Sequence, residues 1–181
     1  MKKPAVYILD SDVFITAKNT YYAFDFCPGF WSAILQEHHK GRVFSVSRVR
    51  GELMSGTKTE DLVEWVGGEV PESFFLDVDT EPVTTAYREV MRWAQRHTRY
   101  SDGAKAKLAA GADGWLVAYA KVHGVTVVTN EQPAPESITK IKLPDVCNQF
   151  EVPMNSTFTM LRSLAVKLDL RAKGARMTGE I

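Results

Sequence analysis

The chain has 181 residues, of which 45% are hydrophobic and 24% charged, with 22 basic and 22 acidic side chains. This is the composition of one globular domain, so it excludes a disordered chain, and the balanced charge excludes a global positive field that would gather nucleic acid. The first apolar run ends at Asp10, too short for a signal peptide or a membrane span, and Cys27 and Cys147 have neither disulfide-framework nor zinc-ligand spacing. We therefore expect a cytoplasmic protein with buried, unpaired thiols.

Short apolar runs, typical of buried strands, alternate along the chain with segments whose apolar residues recur at helical spacing. In chain order, these patterns predict a strand over residues 5–9, a helix over 28–40, a strand over 43–46, helices over 47–56, 59–66, 82–97 and 111–124, strands over 125–128 and 140–143, and helices over 145–149 and 156–170. Strands that alternate with helices form right-handed crossovers and hence a parallel sheet. We expect an α/β fold with a central, mostly parallel sheet of four to five strands, one domain over residues 1–170, and a basic, flexible tail over residues 171–181.

Four acidic residues are expected near the carboxyl edge of this sheet, where open parallel sheets bind ligands. Asp10 ends the first strand and Glu131 follows the third, while Asp113 opens the helix that leads to the third strand. Glu52 lies on the helix after the second strand. Carboxylates held this close repel each other, and a hard cation such as Mg²⁺ or Mn²⁺ would neutralise them. Because such an ion also activates water for attack on phosphorus, the pattern favours phosphodiester hydrolysis.

Each of these acids has a plainer interpretation when it is taken alone. An Asp at a strand end also caps helices, and an acid in the first turn of a helix is favoured by the helix dipole. Glu52 alone would be a solvated helix charge. The hypothesis of a metal site therefore depends on all four acids and on their order along the chain.

Five segments that carry or follow these acids resemble the motifs of the PIN-domain ribonuclease superfamily, which includes VapC-like toxins. They are YILDSDVFI (residues 7–15), SVSRVRGEL (45–53), GADGWLVAYA (111–120), VVTNE (127–131) and KLPDVCNQF (142–150). The first four agree with the family in order and rough spacing over nearly the whole chain, and the fifth is similar to an uncharacterised PIN-like subfamily with a Pro-Asp-x-Cys segment. The resemblance implies a three-layer α/β/α fold and a metal-dependent endoribonuclease, often a toxin paired with an antitoxin protein and often a homodimer.

The resemblance also implies roles for individual residues. The catalytic, metal-binding acids would be Asp10, Glu52, Asp113 and Glu131. Supporting roles would fall to Ser11, Asp12, Thr129 and Asn130. The sequence departs from the family at Asp12, where Asn or Ser is commoner, and at Glu131, where Asp is commoner. The longer Glu131 side chain is expected to hold the ion through water.

A local basic stretch lies on the predicted helix over residues 82–97 and just after it. Its members are Arg88, Arg92, Arg96 and Arg99, followed by Lys105 and Lys107. Three of the arginines recur on successive turns of one helix face, which would suit an RNA backbone. Glu89 interrupts this charge, and a solvated face opposite the apolar stripe explains the same pattern equally well.

Two other functions fit parts of the sequence. The pair Asp10 and Asp12 after a strand also matches the nucleophile and acid of a haloacid-dehalogenase-like phosphatase. That fold places its metal acids downstream of the Thr strand, whereas Asp113 precedes Thr129. The substituted acids are also compatible with a catalytically inactive PIN-like module that binds RNA or a protein.

Overall fold

A parallel sheet of five strands lies at the centre of the computed structural model, which describes residues 5–55 and 60–168. The strands are β1 (Tyr7–Leu9), β2 (Val43–Val46), β3 (Phe75–Leu76), β4 (Thr126–Val128) and β5 (Met154–Asn155). The α-helices of the described residues are α1 (Ser11–Thr16), α2 (Pro28–His39), α3 (Ser47–Leu53), α4 (Asp61–Gly68), α5 (Glu81–Arg96), α6 (Asp102–Ala110), α7 (Asp113–His123), α8 (Leu143–Gln149) and α9 (Thr157–Ser163). A π-helical turn over Ala17–Tyr21 extends α1, and a 3-10 turn over Glu72–Phe74 precedes β3.

The strand order β3-β2-β1-β4-β5 places β1 in the middle of the sheet. Ile8 of β1 pairs with Phe44 of β2 on one side and with Val127 of β4 on the other, and both pairings are parallel. All three residues of β1 are buried, as expected of a strand covered on both faces. Because parallel strands point the same way, Asp10 after β1 and Thr129 after β4 meet at one edge of the sheet.

The helices cover both faces of the sheet because of the direction of the crossovers. From β1 through β2 to β3 the chain moves toward one side of the sheet, and it then returns to β4 and β5 on the other side of β1. Right-handed crossovers in opposite directions place their helices on opposite faces. The predicted α/β/α fold with a mostly parallel sheet of four to five strands is confirmed.

The strand predicted over residues 140–143 is wrong. Residues 140–142 have no regular secondary structure, and Leu143 is the first residue of α8. The place beside β4 is occupied by β5, since Val127 pairs with Met154. The segment therefore does not pair with β4, although its alternation of lysines and apolar residues is typical of a strand.

The helix predicted over residues 156–170 is shorter than expected. It ends at Ser163, and Ala165 takes a positive φ of 54°, a backbone conformation that stops a helix. Leu168, placed by the sequence on the apolar face, is exposed at 38%. Residues 169 and 170 of that prediction, and the predicted flexible tail over residues 171–181, lie outside the described residues.

Within the described ranges, no helix is both long and apolar enough to cross a membrane. The predicted cytoplasmic location stays a prediction.

Candidate active site

Asp10 lies at the carboxyl end of β1 and is buried at 3% exposure. Its backbone N–H donates to the carbonyl of Val128, which fixes it against β4. The Thr129 hydroxyl donates to Oδ2 of its carboxylate at 3.0 Å, and the Ser11 hydroxyl donates to Oδ1 at 3.4 Å. The two hydroxyls that the sequence assigned to support are therefore the groups that contact this carboxylate.

Asp113 and Glu52 come together through the turn that precedes α7. Asp113 is the first residue of α7, and Glu52 reaches across from α3 to accept the backbone N–H of Ala112 at 2.8 Å. A Cβ at Gly111 would lie 3.5 Å from Oε1 of Glu52, an ordinary contact, and at a tighter 3.3 Å from the carbonyl of Lys107. Glu52 thus ties α3 to the start of the helix that carries Asp113.

Glu131 is held by two lysines. Its Oε1 accepts from Nζ of Lys140 at 2.7 Å and from Nζ of Lys142 at 3.1 Å, and its Oε2 accepts the backbone N–H of Leu143. This carboxylate is therefore neutralised by the protein itself, in contrast to Asp10 and Asp113.

Asp12 and Asn130 brace the segment that follows β4. The carboxylate of Asp12 accepts from the Thr16 hydroxyl at 3.0 Å and from the backbone N–H of Asn130 at 3.1 Å. Oδ1 of Asn130 in turn accepts the backbone N–H of Thr157. Both residues are placed to hold neighbouring elements in position, consistent with the supporting role expected of them.

A cavity of about 320 Å³ brings the predicted acids together. Its acidic wall consists of Asp10, Asp12, Glu52, Asp113 and Glu131. The rest of its lining comes mainly from α6 and from the segment before α8, and it includes Lys107, Leu108, Lys140 and Ile141. Residues from four separate parts of the chain thus meet in one cleft at the carboxyl edge of the sheet.

Asp10 and Asp113 differ from Glu131 in the direction in which their pKa values are shifted. Burial, together with the carboxylate of Asp113, raises the pKa of Asp10 to about 7, although the Thr129 hydroxyl opposes the rise. Burial, together with the carboxylates of Glu131 and Glu52, raises the pKa of Asp113 to about 6. Burial acts to raise the pKa of Glu131 as well, but the hydrogen bonds from Lys140 and Lys142 outweigh it and leave that pKa below its usual value. The ionised forms of Asp10 and Asp113 are therefore disfavoured in the folded protein, even though Lys140 and Lys142 act to lower the pKa of Asp113.

A family model described as "Domain of unknown function (DUF4411)" matches residues 7–168 of this chain. The chain belongs to this family. A search of the curated proteins found no match.

The DUF4411 chain is similar in fold to solved structures. FitAB bound to an IR36 DNA fragment is 21% identical, with a TM-score of 0.51 over 83% of this chain and 94% of that one. FitAcB from Neisseria gonorrhoeae is 21% identical, with a TM-score of 0.51 over 82% of this chain and 96% of that one. At this identity the likeness shows the fold, and the PIN-like fold implied by the motifs is confirmed.

The donor chemistry of the cleft fits a hard divalent ion. Among the residues that the structure describes, no group of three or more His, Cys, Asp or Glu side chains is arranged to hold an ion by itself. Mg²⁺ is commonly bound through one or two carboxylates, with water and phosphate oxygens completing its coordination. Asp10 and Asp113 match that requirement, whereas Glu131 is bound to lysines and Glu52 to a backbone N–H.

The arginines that the sequence offered for RNA binding do not line the acidic cleft. Arg92 and Arg96 line a separate cavity of about 460 Å³ with Trp93 and Phe150, and the guanidinium of Arg99 donates to the carbonyl of Pro135. Arg88 is exposed on α5. Their role in RNA binding stays a prediction, and the basic residues in the cleft of the DUF4411 chain are lysines.

Two features of the site were missed by sequence reasoning. Lys140 and Lys142 were interpreted as part of a strand, although two lysines on alternate residues close after an acid are a signal for an ion-pair cluster. The Cys147 thiol lies near the acids: burial and the carboxylates of Asp113 and Asp10 raise its pKa to about 12. Cys147 is therefore a buried, neutral thiol near the acids.

Proposed function

We propose that this DUF4411 protein is a Mg²⁺- or Mn²⁺-dependent endoribonuclease that hydrolyses RNA phosphodiester bonds. The observation that carries the proposal is the pair formed by the buried carboxylate of Asp10 and the half-buried carboxylate of Asp113, whose pKa values are raised to about 7 and about 6 in one cleft. Holding buried acids together without compensation is costly, and such perturbed groups concentrate at functional sites.

Asp10 and Asp113 would hold the ion, and both must be ionised to do so. When bound, a divalent ion lowers the pKa of a water molecule and stabilises charge on a phosphate. The Thr129 hydroxyl donates to Asp10 and favours its ionised form, so it prepares this carboxylate for binding. Glu52 holds the start of α7 and thereby fixes the position of Asp113.

The lysines of the cleft would bind the RNA phosphate. Lys107 and Lys140 line the same cavity as the acids, where an ammonium group can neutralise a phosphate oxygen. Glu131 accepts from Lys140, so it orients that ammonium group, and its lowered pKa keeps it ionised at neutral pH. In this proposal Glu131 acts as a positioning residue and contacts the ion through water.

Cleavage of a labelled single-stranded RNA in Mn²⁺ tests the proposal. Asp10→Asn and Asp113→Asn should each lower the rate by at least a hundredfold, because each removes one of the two carboxylates that would hold the ion. Asp61→Asn is the matched control, since Asp61 is an exposed acid of α4 away from the cleft, and it should cleave at the wild-type rate. Undiminished cleavage by either cleft variant would refute the assignment.

We further propose that the chain is the toxin of a toxin-antitoxin pair and that it forms a homodimer. The support is the PIN-like fold and its likeness to FitAB, a neighbour that is bound to a DNA fragment. A cognate antitoxin would need a basic segment to neutralise the cleft. Growth arrest by the wild-type chain, but not by Asp10→Asn, is the expected result in cells without the partner, and unimpaired growth with both would contradict it.

The alternative functions are less well supported. The PIN-like fold argues against a haloacid-dehalogenase-like phosphatase, and Asp12 is engaged by Thr16 and Asn130 rather than free to act as an acid. An inactive module that binds RNA or protein would leave Asp10 and Asp113 without a ligand to neutralise them. It would show no Mn²⁺-dependent cleavage in the experiment above.

A further inference from the structure

A second cavity, of about 650 Å³, adjoins the acidic cleft. Glu52 and Gly111 line both cavities, so the two form one continuous depression across the surface. The second cavity is bounded by α3, by the end of α6 and by an aromatic pair from α5 and α7. Of the residues that the structure describes, Glu52 is the one acid that lines it, and the other polar lining consists of hydroxyls and one arginine.

The aromatic pair forms a fixed plane. The rings of Tyr87 and Trp115 are stacked, with centroids 3.8 Å apart and an interplanar angle of 7°. The Tyr87 hydroxyl donates to the carbonyl of Ala109, which prevents the ring from turning away. Gly114 leaves room for the stack, because a Cβ there would lie 3.0 Å from Cε2 of Tyr87. The indole of Trp115 is thus supported from behind and half-buried in the cavity wall.

Arg48 lies over this plane. Its guanidinium carbon is 5.0 Å from the centroid of the Trp115 ring, and Nη2 pairs with Asp79 at 2.8 Å. Both side chains of that ion pair are exposed, and exposed pairs contribute little to stability. The guanidinium therefore lies where a flat nucleobase could also stack on the indole. Displacing it costs little free energy.

We propose that this cavity binds a nucleobase of single-stranded RNA beside the phosphate that is cleaved, with the base stacked on Trp115. Arg48 then moves from the ring to the RNA backbone. The inference rests on the function proposed above, because it assigns the cavity to the substrate of the acidic cleft. The bases of a duplex are already stacked on their neighbours, so the cavity selects unpaired segments.

A steric block at Gly51 tests the proposal without weakening the fold. Gly51 lies in α3 and lines the cavity, and a Cβ there would meet no atom within 4 Å. Gly51→Leu places a side chain in the space for the base, and it replaces glycine with a better helix former. Gly68→Leu is the matched control, because Gly68 is an exposed helical glycine with equally open surroundings and does not line the cavity.

The measurement is the fluorescence anisotropy of a fluorescein-labelled ten-nucleotide single-stranded RNA. Both substitutions are made in the Asp10→Asn protein with EDTA present, so that no cleavage interferes. We expect Gly51→Leu to raise the Kd about tenfold, as loss of one stacked base would, and Gly68→Leu to leave it unchanged. Arg48→Ala should also weaken binding and reduce its salt dependence, whereas Arg50→Ala on the same helix should not. An unchanged Kd for Gly51→Leu, or no RNA binding by the parent, would overturn the proposal.

The two proposals fail separately. If the wild-type protein does not cleave RNA but binding still depends on Gly51, the nuclease assignment fails and the base site stands. If the wild-type protein cleaves RNA while Gly51→Leu binds as tightly as its parent, the base site fails and the nuclease assignment stands.

Discussion

At the scale of single residues, Asp10 is the group on which the site depends. It is buried where two parallel strands end, it lies near Asp113, and within the described part of the chain its carboxylate receives only hydroxyl donors. Neither donor carries charge, so the carboxylate stays partly protonated near neutral pH unless a cation is present. The same arrangement therefore costs stability at neutral pH, and the ion proposed above would remove that cost.

The metal-free protein should lose stability as the pH rises. Asp10 ionises near its ordinary pKa of 3.8 in the unfolded chain but only near 7 in the folded one. Its contribution to folding stability is therefore complete below about pH 4 and is lost as the pH rises through 7. At about 1.4 kcal/mol per pKa unit, the loss is on the order of a few kcal/mol. Asp10→Asn removes this pH-dependent loss of stability. In EDTA the variant should therefore melt several degrees higher than the wild type at pH 8, and at nearly the same temperature as the wild type at pH 4.

The pH dependence of the wild-type stability does not isolate Asp10, because His38 and Glu131 also contribute to it. The pKa values of both groups are lowered in the folded protein, so they act in the opposite direction as the pH falls. The difference between wild type and Asp10→Asn cancels their contributions. A difference in Tm that is equal at pH 4 and pH 8 would show that Asp10 is not the group that titrates.

The acids could be predicted from the sequence because each adjoins the end of a recognisable element. Asp10 ends an apolar run, and Asp113 opens a helix that ends in glycine. The lysines near Glu131 were a signal for ion pairs, but the pairing itself was missed because it depends on the path of residues 134–141, which have no regular structure. The stacking of Tyr87 on Trp115 was equally inaccessible, because it depends on how α5 crosses α7.

At the scale of elements, the contact between α5 and α7 positions both halves of the proposed substrate site. Asp113 opens α7 and Trp115 follows it by two residues, so one helix start supplies the acidic cleft and the aromatic plane. Gly114 lies between them and faces Tyr87 and Met91 of α5. The helix can approach α5 this closely only because residue 114 has no side chain.

Alanine at this glycine should therefore destabilise the protein. A Cβ at residue 114 would lie 2.8 Å from Cε of Met91 and 3.0 Å from Cε2 of Tyr87, and the stacked ring cannot yield. Overpacking of this kind costs about 1–3 kcal/mol, which exceeds the helix-propensity gain of about 1 kcal/mol. Gly51→Ala, at an open helical site, should instead stabilise by about 0.5–1 kcal/mol. Denaturant unfolding of the two variants checks the opposite signs, and equal effects would contradict this account of the packing.

Elements were predictable from sequence where an apolar pattern was long, and not where it was short or weak. The buried strands β1, β2 and β4 and the amphipathic α5 were found, whereas β3 and β5 are two residues each. Helix α6 escaped because only Ala104 and Leu108 of its nine residues are buried, too few to show a period. That helix nevertheless lines the cleft, so without it Lys107 could be named only as part of a basic stretch and not as a residue of the acidic site.

At the scale of the whole molecule, the PIN-like fold was predictable because motif order constrained the topology more strongly than any single element did. The strand order places β1 beside β4, so two acidic motifs that are far apart in the sequence meet in one cleft. The cleft and the adjoining cavity then form a continuous surface with acids at one end and an aromatic plane at the other. We infer that RNA lies along this surface.

The central claim is that Asp10 and Asp113 together hold a divalent ion. Anomalous diffraction from crystals soaked in Mn²⁺ at pH 8, where both carboxylates are ionised, measures this most directly. The account predicts a manganese peak bonded to both carboxylates, and its loss in crystals of Asp113→Asn. A manganese-soaked crystal with no peak in the cleft, or with a peak that persists unchanged in Asp113→Asn, would contradict it.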